Sequence, residues 1–241
     1  NKLSGALSFT QKINPNLVLK SGAFYDKLGY QTTYNEYTNA NEFNNLINNA
    51  DNTSLVRAYF QMQYRINDKW SSNFGIHYAN FLLNNKQVIE PRGNIQYTIN
   101  QRSNIALAYG RHSQVQPLIV YFLKGEDGNL VNKDLDFTKA HHLVLTYNFD
   151  INTHTRIKSE LYYQHLTDVA VGLGENSNFA MVNQQYFIPD FALVNEGKGK
   201  NMGVELTLER FLHNNWYYIV TASVFDAKYK TPTTDWLNTR Y

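Results

Sequence analysis

The sequence predicts an all-β protein, an antiparallel up-and-down β-barrel whose strands cross a membrane. Apolar and polar residues alternate with period two along most of the chain, as they do in strands with two unlike faces. The predicted strands have about 11 residues or more, whereas strands of soluble proteins usually have about 5–6. Short turns also alternate with mostly longer connections, so the two ends of the predicted sheet differ.

The segment 56–66 shows the alternation clearly. Val56 and Phe60 belong to an apolar face, whereas Arg57 and Arg65 belong to the opposite, polar face. One face of such a strand can contact lipid while the other faces a wet interior, so the average hydropathy of the chain stays low.

The segment 88–99 repeats the alternation, with Ile89 and Ile95 on the apolar face and Glu90 on the polar face. Pro91 lies in the middle of this strand. Because proline cannot donate a backbone hydrogen bond, we expect a bulge or a local sheet edge there.

About ten strands are predicted along the chain in this way, with boundaries that are uncertain by about 2–4 residues. In order, they are residues 2–12, 17–26, 54–66, 69–83, 88–99, 103–113, 139–150, 155–167, 201–212 and 215–227. Short polar turns are predicted at 14–16, 67–69, 100–102, 152–154 and 213–215. The remaining connections are 27–53, 84–87, 114–138 and 168–200, and three of these four are long.

The sorting of short and long connections is typical of an outer-membrane β-barrel, which has short periplasmic turns and longer extracellular loops. Only helices or closed sheets satisfy every backbone group inside hydrocarbon, and a tilted strand needs about 9–11 residues to cross. Aromatic residues near the strand ends would form the interfacial girdles: Tyr25, Trp70, Tyr109, Tyr147, Tyr163, Trp216 and Tyr217. The alternative is a soluble β-sandwich, whose shorter strands and unsorted loops fit less well.

One segment departs from the strand pattern. In residues 41–50, Phe43, Leu46, Ile47 and Ala50 recur at helical spacing. We expect a short amphipathic helix there, folded back on its own loop.

The composition excludes several other classes. The chain has 241 residues, with 22 Lys and Arg against 20 Asp and Glu, and a formal charge of +2. This nearly even balance of positive and negative charge argues against nucleic acid as a partner. The sequence contains no cysteine, which rules out a disulfide framework or a thiolate metal site within it. The mean hydropathy is −0.48, and no apolar run approaches the roughly 20 residues of a membrane helix.

Several stretches in the second half resemble a known family. They are 112–118 (HSQVQPL), 140–143 (AHHL), 160–166 (ELYYQHL), 195–209 (NEGKGKNMGVELTLE), 226–230 (DAKYK) and 238–241 (NTRY), and Glu90-Pro91-Arg92 also fits. Together, in this order, they are similar to the C-terminal barrel half of TonB-dependent receptors of the Bacteroidetes type. The resemblance covers roughly residues 54–241, and the first 50 residues share only the strand pattern.

The resemblance implies an outer-membrane location and a barrel of the 22-strand type with a plug in its lumen. It also implies active import of a scarce ligand, such as a siderophore, a glycan or a peptide, driven through TonB. Residues 1–241 would then be a partial barrel domain of about ten strands, without the plug domain and the TonB box. The implied partners are outer-membrane lipid, the chain's own plug, the TonB complex and the surface lipoprotein that caps many Bacteroidetes receptors. The alternative is a self-contained small barrel, either a passive pore or a surface hydrolase.

The sequence contains no pattern that predicts an enzyme. It has no G-x-S-x-G elbow, and the three glycines at 197–203 are wrongly spaced for a dinucleotide fingerprint. His141 and His142 are adjacent, so on a strand they point to opposite faces and cannot chelate a metal together. We therefore expect no catalytic residues, no metal site and no cofactor.

Two groups of residues are candidates for ligand contact. The charged residues that alternate onto the polar face are predicted to face the lumen: Arg57, Arg65, Glu90, Arg92, Arg156, Lys158, Glu160, Glu205 and Glu209. They would either form mutual salt bridges and plug contacts or line a substrate path. Aromatic residues of the long connections are predicted to be extracellular platforms for a ligand: Tyr30, Tyr34, Tyr37, Tyr121, Phe122, Phe179, Tyr186 and Phe187.

Overall fold

The computed structural model describes residues 1–38, 42–125, 128–184 and 189–240, with the side chains of 30 and 32–50 left out of the description. The described residues form one antiparallel sheet of 11 strands, in which each strand pairs with its neighbours in the sequence. The strands are β1 (Lys2–Asn14), β2 (Leu17–Thr38), β3 (Glu42–Arg65), β4 (Trp70–Phe81), β5 (Lys86–Asn100), β6 (Ser103–Gln114), β7 (Thr138–Asn152), β8 (Thr155–Gly172), β9 (Leu193–His213), β10 (Trp216–Lys230) and β11 (Leu237–Asn238). One short helix, α1 (Leu118–Tyr121), and two 3₁₀ turns, Gly174–Asn176 and Met181–Asn183, lie in the connections. Within the described residues β1 and β11 are not paired with each other, so the sheet is open.

All ten predicted strands are present, in the predicted order. The strand β5 has the local edge expected at Pro91: its pairing with β6 begins only at Arg92, so Pro91 is paired with Ile76 of β4 alone. Toward β6, Pro91 therefore faces no paired strand, so no inter-strand hydrogen bond is lost there for want of its N–H.

The helix predicted within residues 41–50 is wrong. Residues 42–50 belong to β3, and their backbone pairs with β2 as far as Thr38 and Glu42. The connection predicted at 27–53 is therefore mostly a long hairpin. The segment is rich in asparagine, which is a poor helix former. Pairing with β2 satisfies its backbone hydrogen bonds, so it needs no helix to do so.

Asparagine forms the tight turns at the end of the sheet with short connections. In four of these turns an asparagine Oδ1 accepts the backbone N–H two residues later: Asn14 from Asn16 (2.9 Å), Asn67 from Lys69 (2.9 Å), Asn100 from Arg102 (2.8 Å) and Asn152 from His154 (2.9 Å). In the remaining turn Asn214 and Asn215 adopt the left-handed conformation, with φ of 54° and 64°. Asparagine tolerates this conformation better than most residues, which explains its abundance in these turns.

One face of the sheet is apolar and exposed. The register aligns Ile95, Leu107, Leu145, Leu161 and Val204 in one row across β5 to β9. Their side chains are 38–55% exposed. A soluble sandwich would bury this face against a second layer of sheet, and these exposed side chains do not form such an interior. No helix of the described residues is both long and apolar enough to span a bilayer.

The core lies at the opposite end of the sheet from the short turns, on the other face. There Phe81, Val88, Tyr121, Phe137 and Leu193 form a buried cluster. Phe81 and Val88 come from β4 and β5, whereas Tyr121 and Phe137 come from the connection between β6 and β7. The long connections therefore fold over the polar face of the sheet and bury the apolar residues at its end.

Candidate functional site

The nine charged residues predicted to face the lumen share one face of the sheet, opposite the exposed apolar rows. The register pairs Arg156 with Glu209 and Glu160 with Glu205 across β8 and β9. We call this surface the polar face. Whether any of these residues lines a substrate path stays a prediction.

A buried carboxylate organises the polar face at β1 to β3. The side chain of Asp26 is only 4% exposed, and it accepts hydrogen bonds from Ser4 Oγ (2.6 Å) and Arg57 Nη2 (2.6 Å). Lys2 Nζ lies 3.2 Å from Asp26 Oδ1. Asp26 was not among the predicted residues, because a lone aspartate in an alternating strand carries no signal of its partners.

A second buried carboxylate, Glu90, lies on β5. Its side chain is 3% exposed, and Arg92 Nη2 and Ser113 Oγ donate hydrogen bonds to it. His77 Nδ1 of β4 lies 2.7 Å from Glu90 Oε2. Glu90 and Arg92 were predicted to face the lumen from the alternation, whereas His77 was not, because only the strand register brings it opposite Glu90.

Most of the other predicted charges are also paired. Arg156 Nη2 donates to Glu209 Oε2 at 2.5 Å, and Lys158 Nζ lies 2.5 Å from Glu160 Oε2. The salt bridge of Arg65 with Asp68 is exposed, at 3.6 Å. Among the described residues, Glu205 has no ion pair. These ion pairs are the salt bridges of the first arrangement expected from the sequence, whereas contact with a plug stays a prediction. Loss of one partner would leave the other charge without compensation for its lost hydration.

A hollow of about 650 Å³ lies on the polar face between β2 and β7. Tyr59, His77, Arg92, His112 and His142 are among its lining residues. The rings of His112 and His142 are 4.8 Å apart between centroids. Across the part of the chain that the structure describes, no group of three or more His, Asp or Glu side chains could hold a metal ion. The hollow therefore offers one guanidinium, imidazoles and aromatic rings to a bound group.

The loop aromatics are arranged differently from the exposed platforms expected. Tyr121 and Phe122 are 0% and 1% exposed, and Phe179 packs against the buried cluster. These rings are buried because the connections fold onto the sheet, so apolar area is removed from water within the loops themselves. The side chains of Tyr30, Tyr34 and Tyr37, and residues Tyr186 and Phe187, lie outside the described part of the chain.

Burial also alters the chemistry of Tyr121. Removal from water disfavours the phenolate and raises the pKa of Tyr121 to about 12, although a hydrogen bond from the Gln116 N–H to its hydroxyl oxygen (3.2 Å) acts in the opposite direction. Tyr121 is therefore neutral at any physiological pH.

Two asparagine side chains join the connection between β6 and β7 to the end of the next long connection and to the start of β9. Asn132 is 1% exposed; its Oδ1 accepts the Leu193 N–H at 2.8 Å, and its Nδ2 donates to the Phe191 carbonyl at 3.2 Å. Asn195 makes the equivalent link: its Oδ1 accepts the Asp136 N–H at 2.8 Å. We call these two asparagines the loop clasp. No sequence pattern indicated it, because asparagine is common in any loop.

A lysine completes this junction. Lys139 Nζ lies 2.9 Å from Asp136 Oδ2 and 3.0 Å from Asp168 Oδ2, and so connects the start of β7 with β8. Asp168 itself has a φ of 55°, at a point where the pairing of β8 with β9 is irregular. The connections are thus held to the sheet by charge as well as by apolar packing.

A sheet of this kind, with an exposed apolar face, a face of paired charges and connections sorted by length, is the wall of a transmembrane β-barrel. The family model described as "TonB dependent receptor-like, beta-barrel" matches residues 1–240, and the chain belongs to this family. Members of the family are receptors and transporters of the outer membrane. No curated protein matches the chain significantly.

Solved structures agree with the family. The chain is similar to the siderophore receptor PirA from Pseudomonas aeruginosa, with 13% identity over 97% of this chain and 43% of that one, and a TM-score of 0.62. It is also similar to the FrpB iron transporter (F5-1 variant, apoprotein form) from Neisseria meningitidis, with 12% identity, coverage of 99% and 37%, and a TM-score of 0.62. The RagAB peptide importer gives 11% identity, coverage of 100% and 30%, and a TM-score of 0.61. The chain thus spans less than half the length of these structures, and identities this low show the fold alone.

Proposed function

We propose that the chain forms part of the barrel wall of an outer-membrane TonB-dependent transporter, which imports a scarce ligand such as a siderophore, a glycan or a peptide. The observation that carries the proposal is the two-faced sheet. Its apolar face suits lipid. Its polar face carries charges that are mostly paired with one another within the sheet, and such a polar surface suits a barrel lumen. The names of the similar structures include a siderophore receptor, an iron transporter and a peptide importer, which supports this range of ligands.

In this proposal the ligand is captured at the end of the barrel with the long connections. A plug domain from outside this chain fills the lumen, and TonB acts on that plug to open a path along the polar face. A surface lipoprotein covers the entrance, as the family resemblance implies. The loop clasp holds two of the long connections in place, so it gives the entrance a defined shape before a ligand arrives.

The paired charges suit a wall along which a ligand passes. Asp26 and Glu90 are saturated by their own partners, so they offer little free charge that would trap a passing ligand. Arg92 is the more accessible member of its pair, with 44% of its side chain exposed in the hollow. Arg92 and Glu205 are accordingly the charges of the polar face that we assign to ligand or plug contact.

The open sheet favours this reading over a self-contained small barrel. In a small barrel β1 would pair with the last long strand, β10, but the described residues of β1 pair with β2 alone. The edge of β1, and the edge of β10 before its two-residue pairing with β11, are thus available for further strands of a larger wall.

Uptake in cells with and without TonB tests the proposal. Cells that carry the intact protein are given candidate siderophores, glycans and peptides as the limiting nutrient. We expect growth on one ligand class, lost when TonB is deleted and restored when TonB is supplied again. Uptake that is unchanged without TonB would reject active transport and favour a passive pore.

A further inference from the structure

A row of basic side chains crosses the outward, apolar face near its long-connection end. The register aligns Arg111, His141, His165, Lys200 and Lys228, one from each strand from β6 to β10. Adjacent strands are about 4.8 Å apart, so the row extends over about 19 Å. We call it the basic row. None of these residues belongs to the polar face, so the lumen does not account for them.

The surroundings of the basic row add positive charge. Lys198 and Lys230 are paired on the same face, one step nearer the long connections. Lys200 Nζ and Lys230 Nζ lie 4.5 and 5.3 Å from the centroid of the Trp236 ring. Asp226 lies 3.0 Å from Lys228 Nζ, and in the row above, Lys139 is paired with Asp136 and Asp168, whereas Arg111 and Lys200 form no ion pair among the described residues. The surface thus carries an excess of cations.

The row directly below the basic row is apolar and aromatic. From β6 to β9 it contains Tyr109, Leu143, Tyr163 and Met202, which are 41–46% exposed, and on β10 it ends at Asp226. The Tyr109 hydroxyl contacts His141 Nδ1 at 2.8 Å, so the aromatic girdle touches the basic row. On β7 the outward residues from 143 to 151 are all large and apolar, which gives about nine residues, enough for a tilted strand to cross hydrocarbon.

The basic row therefore begins where the apolar band ends, at the depth of the lipid headgroups. An occupant that contacts both rows must be amphipathic, with acyl chains on the apolar rows and negative charge at the basic row. Clusters of Lys and Arg at this depth attract anionic lipid headgroups, and Arg binds phosphate through two parallel N–H bonds. A protein partner would instead have to cover an apolar face that lipid already covers.

We infer that the basic row binds the phosphate groups of an outer-leaflet lipid, with Arg111, Lys200 and Lys228 as the charged contacts. The inference rests on the proposed outer-membrane location, because only there does this face meet lipid. His141 and His165 lie between the cations and provide imidazole N–H donors to the same headgroup.

A lipid titration tests this inference. The intact receptor in detergent micelles is titrated with diphosphorylated lipid A, with the same lipid after removal of its phosphates, and with inorganic phosphate alone. The double variant Lys200→Gln with Lys228→Gln removes two charges of the basic row. The matched control, Lys12→Gln with Lys20→Gln, removes two charges from the opposite face of β1 and β2.

We expect the double variant to bind phosphorylated lipid A about 25-fold more weakly, since each cation at a charged membrane surface contributes about fivefold. The control variant should bind like the wild type, and the dephosphorylated lipid should bind weakly to all three proteins. Equal affinity of the wild type and the double variant would overturn the inference. So would equally tight binding of inorganic phosphate, which would indicate a free-anion site. TonB-dependent uptake by the wild type is measured separately. Failure of lipid binding would therefore leave the transport proposal standing, and failure of uptake would leave the lipid inference standing.

Discussion

Arg57 Nη2 donates a hydrogen bond to Asp26 Oδ2 at 2.6 Å, across the pairing of β2 with β3. The carboxylate is almost fully covered, whereas the guanidinium remains one-third exposed. Asp26 thus depends on its protein partners for its charge, while Arg57 retains access to water. This asymmetry makes Asp26 the more sensitive of the two to substitution.

Asp26→Asn is expected to lower the free energy of unfolding by about 1–3 kcal/mol, because it removes the charge that Arg57 and Lys2 share. Urea denaturation of the intact protein in detergent measures the change. The control is Asp68→Asn, the same substitution at a fully exposed carboxylate, which should leave stability nearly unchanged because water screens its ion pair with Arg65. Equal effects of the two substitutions would show that the burial of Asp26 does not matter.

Asn132→Ala is expected to loosen the long connections without unfolding the sheet. It leaves the Leu193 N–H and the Phe191 carbonyl without their partner, at a local cost of about 1–3 kcal/mol. Hydrogen exchange of the peptides that cover 115–137 and 173–193 should accelerate. Asn178→Ala, an exposed position in the second connection, serves as the control. Unchanged exchange in Asn132→Ala would contradict the role assigned to the loop clasp.

The buried hydroxyl of Tyr121 makes the loop cluster sensitive to alkali. Since the folded pKa of about 12 lies above that of an exposed tyrosine, near 10, the folded state holds its proton more tightly. The stabilisation is complete below about pH 10 and declines as the pH rises towards 12. Protease resistance of the connections should therefore fall between these values in the wild type. Tyr121→Phe, which has no proton to lose, should lack this component, and an identical alkaline profile in the two proteins would refute it.

Leu107→Arg is expected to destabilise the protein by about 2–4 kcal/mol in a bilayer, because Leu107 lies in the middle of the outward apolar face. Ala106→Arg introduces the same side chain one residue earlier, on the polar face, where water is available. It should cost much less. The comparison is made by unfolding the intact protein from lipid vesicles, and a larger penalty at Ala106 would reverse the assignment of the two faces.

The pattern of the sequence predicted the strands well because alternation and turn asparagines are local signals. The pairs Arg156–Glu209 and His77–Glu90 needed the register, which fixes partners that are far apart in the chain. The buried position of Tyr121 could not be predicted, since an aromatic residue in a polar loop reads the same whether it is exposed or packed. The helix predicted near Phe43 failed because helical spacing over one short segment is weak evidence against pairing with a neighbouring strand.

Fluorescence quenching at two adjacent positions tests most directly our proposal that one face of the sheet contacts lipid and the other does not. Leu145→Cys and Val144→Cys are each labelled with a fluorophore in the intact protein, in a background without other accessible cysteines, and reconstituted with brominated lipids. We predict strong quenching at position 145, on the outward face, and little at 144, on the polar face. Equal quenching at both positions, or stronger quenching at 144, would contradict the account.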